Sequence, residues 1–412
     1  MEKTTTRQFI IAVDVTTQSP LHISAVEKGA YNVDTRRVQR FKSDSGGIGC
    51  SLTRTMPLPA QARFSGEGDT LYVPEVPVIP ASTVAGKLRH ACSDLLFQSF
   101  VARDLQISPD AYNTMTSGMA TTDLKQGLAT PKTVRAARKD AFLSCFGGTS
   151  FAMAAGSVID EGWPLLAIVE DNLMTPAIDG VLPFSELRQL TSAIAIVRKN
   201  DVADQRGEYL EGVVGVVELA KYMELESDNR NDSKQRKGAT FVAPEADASL
   251  DPKEAKKALA AARKAFDEAN KKSDLRALNA MEVVNPGIGF ALRVQVTART
   301  PAHLGLMLLG MQAFLRDGQV GGKAARGFGR FVCKPSASRL YEVQPDSRKT
   351  EVVSSIFTGA STGYAFADHP EIYAAVRAGQ DYIDAADPRL IEAYTSLNVP
   401  AIEKLYDDSV EA

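Results

Sequence analysis

Two segments of the chain alternate strictly between apolar and polar residues, and this period of two constrains the fold most. The apolar positions are Phe9, Ile11, Val13 and Val15 in the first segment and Phe290, Leu292, Val294 and Val296 in the second. Such alternation predicts strands with one buried face. A helical pattern begins near Ser82 after the first strand and at Pro301 after the second. The order predicts an α+β fold, a small sheet with helices on one face.

The N-terminus of the helix near Ser82 is a candidate anion-binding site. Its apolar stripe consists of Val84, Leu88, Ala91, Cys92, Leu95 and Leu96. We predict Ser82 as the N-cap, because it follows Pro80. Lys87 and Arg89 lie off the stripe, near a helix end that attracts phosphate. We therefore expect their replacement by alanine to change folding free energy by no more than about 0.5 kcal/mol.

Composition excludes several classes of protein. The 412 residues can form two or three domains, and the net charge of −3 requires any nucleic-acid surface to come from local basic clusters. Four cysteines without a CxxC pair and four scattered histidines predict no metal site, no disulfide framework and a reducing compartment. No cofactor is predicted. The absence of a long apolar run predicts a cytoplasmic protein with no membrane partner.

A glycine-rich loop, "QVGGKAARGFGRF", runs from Gln319 to Phe331. It lies between a helix and a strand, which is the reverse of a dinucleotide-binding motif. It is not a P-loop either, because Ala324 follows Lys323 where a Ser or Thr is needed. Two alternatives remain open, a tight turn that packs two backbones closely and a phosphate contact through Lys323 and Arg326. Phe328 either stacks on a base or fills the core.

Several segments resemble, in order, one protein family. They are "VPVIPASTVAGKLRHA", "AFLSCFGG", "TSAIAIVRKNDVADQ", "NPGIGFALRV" and "GGKAARGFGRF". The set is similar to the backbone subunit of the RAMP superfamily of CRISPR-associated proteins. It resembles most the type IV effector backbone and next the type III backbone.

The resemblance implies an RRM-like (ferredoxin-like) palm with inserted fingers and thumb and a C-terminal helical extension. The palm would occupy residues 1–340, with elements at 7–17, 78–102, 161–172 and 286–334. The fingers would be insertions at about 25–75 and 103–150, the thumb an insertion at about 198–283, and the extension residues 341–412.

The implied activity is guide binding rather than catalysis. The chain would bind the CRISPR RNA (crRNA) through sequence-independent phosphate contacts and polymerise head to tail along it. The guide would then pair with invading target DNA or RNA in antiviral defence. Implied partners are further copies of the chain and other effector subunits: the large subunit, the guide-end capping RAMP subunit, the processing nuclease and an accessory helicase.

The resemblance and the local basic clusters together select the candidate RNA-binding residues. They are Ser82, Gly86, Lys87, Arg89, Lys323, Arg326, Phe328, Arg36, Arg37, Arg40, Arg54, Arg198 and Lys199. For the arginines from Arg36 to Arg54, and for Arg198 and Lys199, a solvated loop is the alternative.

Two alternative functions remain. The first is an endoribonuclease of the same superfamily, which would use Asp34 for metal-dependent target cleavage or His22 as a general base in guide processing. The second is an RRM-like RNA-binding module unrelated to CRISPR, which would be a monomer with weak affinity for RNA.

Overall fold

The computed structural model describes residues 6–32, 37–39, 48–57, 63–64, 71–72, 75–118, 134–135, 137–148, 154–169, 173–176, 190–197, 260, 278–324, 327–359 and 363–395. The chain divides into two compact units. The first comprises Met1–Ala25, Thr53–Ser192 and Val283–Ala412, and the second comprises Val26–Leu52 and Ala193–Glu282. Helices and mostly antiparallel sheets occur together, which confirms the α+β class. The finer domain boundaries stay a prediction.

The described strands and helices are numbered in chain order. The strands are β1 (Arg7–Thr17), β2 (Ser24–Asn32), β3 (Arg37–Gln39), β4 (Ile48–Thr53), β5 (Thr55–Pro57), β6 (Arg63–Phe64), β7 (Leu71–Tyr72), β8 (Glu75–Pro77), β9 (Ser157–Ile159), β10 (Trp163–Pro164), β11 (Leu166–Val169), β12 (Leu173–Pro176), β13 (Thr191–Val197), β14 (Leu278–Val284), β15 (Gly289–Ala298), β16 (Phe331–Val343), β17 (Lys349–Val353), β18 (Phe357–Thr358) and β19 (Ala365–Phe366). The helices are α1 (Ala81–Ala102), α2 (Pro109–Ser117), α3 (Ala141–Phe146), α4 (Pro301–Asp317), α5 (Pro370–Ala385) and α6 (Pro388–Thr395).

The first unit is built on an antiparallel sheet with β1 at its centre. Its strand order is β10-β15-β1-β16-β17, and β9 also pairs with β15. The register places Phe9 opposite Val296 and Val15 opposite Phe290, so the alternating residues of both strands share one face. That face belongs to the main core, together with Leu88 of α1. The two predicted strands are therefore confirmed.

Helix α4 lies within the core rather than on its surface. Every residue from His303 to Leu308 is buried, which covers the whole circumference of the helix. A Cβ on Gly305 would overlap the carbonyl oxygen of Ala375 in α5 and lie 2.7 Å from the Gly379 nitrogen. A Cβ on Gly310 would overlap the Cys92 Sγ of α1. Glycine thus permits two close helix contacts, one with each neighbouring helix.

The second unit contains a sheet where the sequence shows little periodicity. Its order is β13-β14-β4-β2-β3, and β14 runs parallel to β4, with Ala280 opposite Cys50. Strands β2, β3 and β4 therefore form without a clear alternating pattern in the sequence. Among the described residues, no helix is both long and apolar enough to cross a membrane.

Two helical glycines should respond oppositely to alanine. Gly305→Ala should lower the free energy of unfolding by about 2 kcal/mol, because α5 must move to accommodate the methyl group. Gly86→Ala in α1 is the matched control, since a Cβ there has nothing within 4 Å. It should raise stability by roughly 0.5–1 kcal/mol by restricting the unfolded chain. Urea unfolding of both variants measures the difference, and equal effects would contradict the proposed packing.

Candidate nucleic-acid interface

The turn after β1, residues Gln18–Ile23, holds the glycine-rich loop in place. The Gly322 N–H donates to the carbonyl of His22 at 2.9 Å, and the Gly329 N–H donates to the carbonyl of Pro20 at 2.8 Å. These hydrogen bonds require two backbones to approach without side chains between them. The loop is thereby fixed against the turn at two points.

Glycine is needed at two positions of the loop. Gly321 and Gly329 have φ values of +84° and +75°, which L side chains rarely adopt. A Cβ on Gly321 would lie 2.7 Å from the His22 carbonyl oxygen, and one on Gly329 would overlap the carbonyl oxygen of Val320. Close backbone packing, one of the two expectations for this loop, is therefore observed. Because this packing uses backbone groups, it does not involve the Lys323 side chain.

Lys323 projects from this loop in an unusual backbone conformation. Its φ is +64°, and the residue is exposed. A non-glycine residue in this region carries local strain, so no local backbone preference favours a lysine here. Phe328 is half-buried, and its carbonyl accepts from the Gln319 side-chain amide at 2.8 Å. Arg330, the last but one residue of the motif, is a further exposed cation. It was not among the predicted RNA-binding residues.

The same turn also positions Arg54 near the start of α1. The Arg54 N–H donates to the carbonyl of Ile23 at 2.8 Å, and the Val78 N–H donates to the carbonyl of Arg54 at 3.1 Å. Val78 lies two residues before Pro80, the N-cap of α1. Arg54 is half-buried. A single turn thus connects the glycine-rich loop, Arg54 and the approach to α1.

The prediction of Ser82 as the N-cap is wrong. Helix α1 begins at Ala81, because the Pro80 carbonyl already accepts the N–H groups of Thr83 at 2.9 Å and Val84 at 3.3 Å. Ser82 is exposed, and the N-cap makes no side-chain hydrogen bond. The first turn contains no acidic residue. The positive end of the α1 dipole therefore has neither a side-chain cap nor a carboxylate at its first turn.

Lys87 of α1 forms an ion pair with the end of α4, just before the glycine-rich loop. Its Nζ lies 3.4 Å from Oδ2 of Asp317, the last residue of α4. The Lys87 and Asp317 side chains are 34% and 56% exposed. One turn of helix away from the N-terminus, Gly86 borders open space. Ser82, Gly86 and Lys87 thus share the first two turns of α1, and the ion pair of Lys87 connects this helix to the end of α4, after which the loop with Lys323 begins.

Arg89 has a structural role that the sequence analysis missed. Its guanidinium donates to the carbonyls of Thr114 at 2.9 Å, Phe146 at 2.6 Å and Gly147 at 3.4 Å. It also lies 5.4 Å from the centre of the Phe146 ring. Burial lowers the pKa of Arg89 to about 10, so the group stays charged at neutral pH. These contacts lead us to expect that truncating Arg89 costs more stability than its place off the apolar stripe suggests.

Several candidates cannot be located in the interface. Arg36, Arg40, Arg198, Lys199, Arg326 and Asp34 lie outside the described residues. Arg37 lies in β3 of the second unit, and its side chain is likewise outside the description.

His22 does not have the exposure that a general base needs. It is 2% exposed, and its Nε2 lies 3.0 Å from the Ser24 hydroxyl. The histidine side chain is buried within the turn, and guide processing through His22 stays a prediction. Among the described residues, no group of three or more His, Cys, Asp or Glu side chains is arranged to hold a metal ion.

Comparison with known proteins finds matches among solved structures. No protein-family model and no curated protein sequence matches the chain. One chain of a solved structure titled "Type IV-B CRISPR Complex" is 12% identical, and the match covers 79% of this chain and 89% of that chain. The TM-score is 0.38. Similarity at this level establishes neither a common fold nor a common function.

Arg89 and Lys87 should differ in their contribution to stability. Arg89→Ala should lower the free energy of unfolding by about 2–4 kcal/mol, because it removes three hydrogen bonds to carbonyl groups and the packing of the guanidinium on the Phe146 ring. Lys87→Ala should lower it by less than about 1 kcal/mol, as expected for an exposed ion pair. Urea denaturation of both variants measures the contrast. An Arg89→Ala protein as stable as the parent would contradict the structural role.

Proposed function

We propose that this chain is a guide-RNA-binding backbone subunit of a CRISPR ribonucleoprotein. One observation carries the proposal: a single turn, Gln18–Ile23, connects the glycine-rich loop with Arg54 and the approach to α1. Lys87 pairs with Asp317, two residues before the loop that carries Lys323, and in the described part of the chain the α1 N-terminus has no side-chain cap. The ordered resemblance to RAMP backbone subunits selected these same segments.

The chemistry of this surface suits a guide that must pair with many sequences. Backbone phosphates carry no sequence information, so contacts to them leave the base edges free for pairing. A helix N-terminus and flexible lysines are suitable donors for such contacts. A Cβ on Gly86 would meet no described atom within 4 Å, so we place the sugar-phosphate chain beside this turn of α1. Arg89 is excluded from the proposed contacts, because its donors are engaged by protein carbonyls.

The topology of the first unit supports an RRM-like palm. Along the chain, β1, α1, the edge strands β9 and β10, β15, α4 and β16 follow one another. In the sheet, β1 lies between β15 and β16, with β9 and β10 at the edge. This order is consistent with a ferredoxin-like sheet and so supports the proposed palm. The inserted fingers and thumb and the C-terminal extension remain part of the proposal.

The proposed protein acts in the cytoplasm, without catalytic activity, by assembling with other subunits on the guide. Copies would add head to tail, since a heterologous interface leaves a free end for the next copy. The remaining effector subunits would bind the ends and side of this array, and the guide would pair with target DNA or RNA. Target cleavage through Asp34 is the enzymatic alternative, and a labelled paired target tests for it directly.

Binding to RNA of increasing length tests the proposal. The purified protein should bind unrelated single-stranded RNAs with similar affinity, and the particle size should grow with RNA length. Electron microscopy and light scattering measure this growth. A single protein bound per RNA at every length would favour the RRM-like module instead, and no binding would reject both.

Neutralising the two lysines should weaken binding mainly through phosphate contacts. Lys87→Gln and Lys323→Asn should each flatten the slope of log affinity against log salt by about 0.7, as expected for a single strand. Asparagine tolerates the positive φ at position 323, so the loop should keep its shape. Lys349→Asn is the control, since Lys349 lies opposite Val343 at the far end of β16. An equal change in the control would argue against a local site.

Gly86→Ala should separate stability from binding. The methyl group stabilises α1 but occupies the open space where we place the RNA backbone. We expect weaker RNA binding, by about 3- to 10-fold, although the variant unfolds at a higher urea concentration, because helix formation favours alanine. Unchanged affinity would show that the RNA does not approach this turn of α1.

A further inference from the structure

Asp317 occupies a position that neither the helix nor an RNA-binding surface favours. It is the last residue of α4, and Gly318 follows as a left-handed C-cap with φ of +60°. The C-terminus of a helix carries partial negative charge, so a carboxylate there is destabilising. Asp317 also places a negative charge directly before the glycine-rich loop. Its described ion-pair partner is Lys87, 3.4 Å away on α1.

The contact between Lys87 and Asp317 is loose enough to be exchanged. Its N–O distance of 3.4 Å exceeds the usual 2.7–2.9 Å of charge-assisted hydrogen bonds. Both side chains are partly exposed, and a lysine ammonium moves easily on its four-carbon stem. Exposed pairs of this kind contribute little to stability. A phosphate can therefore replace the carboxylate without unfolding the site.

We propose that Asp317 competes with the RNA phosphate for Lys87 and so sets the affinity of each copy for RNA. In the free protein the carboxylate holds the ammonium beside the loop. In the complex a phosphate takes its place, and the carboxylate opposes binding. This inference rests on the proposed function. It assigns Asp317 as a residue that weakens binding of single copies to polyanions, so that stable binding depends on several copies assembled on one strand.

Asp317→Asn tests this role, because it removes the charge and keeps the shape. We expect RNA binding to become about 2- to 5-fold tighter at low salt, the range that one exposed ion pair supports. The slope of log affinity against log salt should steepen, since the Lys87 ammonium is no longer partly neutralised. Binding of a labelled oligouridine at several salt concentrations provides both quantities.

The contribution of Lys87 is isolated by a double-mutant cycle. In a Lys87→Gln background, Asp317→Asn should have a smaller effect on affinity than in the parent. Asp346→Asn is the matched control, because Asp346 pairs with Arg348 at 2.6 Å on an exposed turn between β16 and β17. That control should leave the affinity unchanged. Urea unfolding of each variant separates binding from stability.

The outcomes distinguish this inference from the function on which it rests. If the parent binds RNA and Asp317→Asn binds no tighter, the competition is absent and the inference is wrong. An equal gain from Asp346→Asn would show a general charge effect and also overturn it. A large loss of stability in both Asp317→Asn and Asp317→Ser would show a structural role instead. If the parent does not bind RNA, the proposed function itself fails.

Discussion

The candidate interface depends on one close approach of two backbones, between the turn after β1 and the glycine-rich loop. Gly321 and Gly329 adopt positive φ, and a side chain on either would collide with a carbonyl group. The approach allows N–H groups of the loop to bond directly to the turn. The position of Lys323 follows from this contact, because a lysine at the tip of a free loop would have no fixed relation to α1.

The close approach of the two backbones also explains why glycines and cations occur together in the loop, since they have different roles. The glycines provide the backbone geometry of the loop. Lys323 projects from this loop, and Lys87 projects from α1. Lys87 and Arg89 are two residues apart on α1, yet they have different environments. Lys87 is partly exposed beside Asp317, whereas Arg89 donates to carbonyls of α2 and the end of α3. The difference follows from which elements pack on each side of α1.

The C-terminal helices contribute to the core of the first unit. Helix α4 is buried on all sides near its N-terminus, and α5 packs against it at Gly305 and Gly379. Arg7 at the start of β1 bonds to Glu342 of β16 and to Glu371 of α5, both at 2.7 Å. The packing of α4 fixes the position of its last residue, Asp317, after which the glycine-rich loop begins.

The sequence by itself determined the elements whose pattern is local. Alternation predicted β1 and β15, and helical spacing predicted α1 and α4, because burial of one face imposes a period on neighbouring residues. It also selected the glycine-rich loop and Lys87. Only the tertiary structure decided which group each cation contacts. Lys87 meets a carboxylate 230 positions away, and Arg89 meets a carbonyl 57 positions away. Contacts across such separations leave no periodic signal, so they arise only when the elements pack.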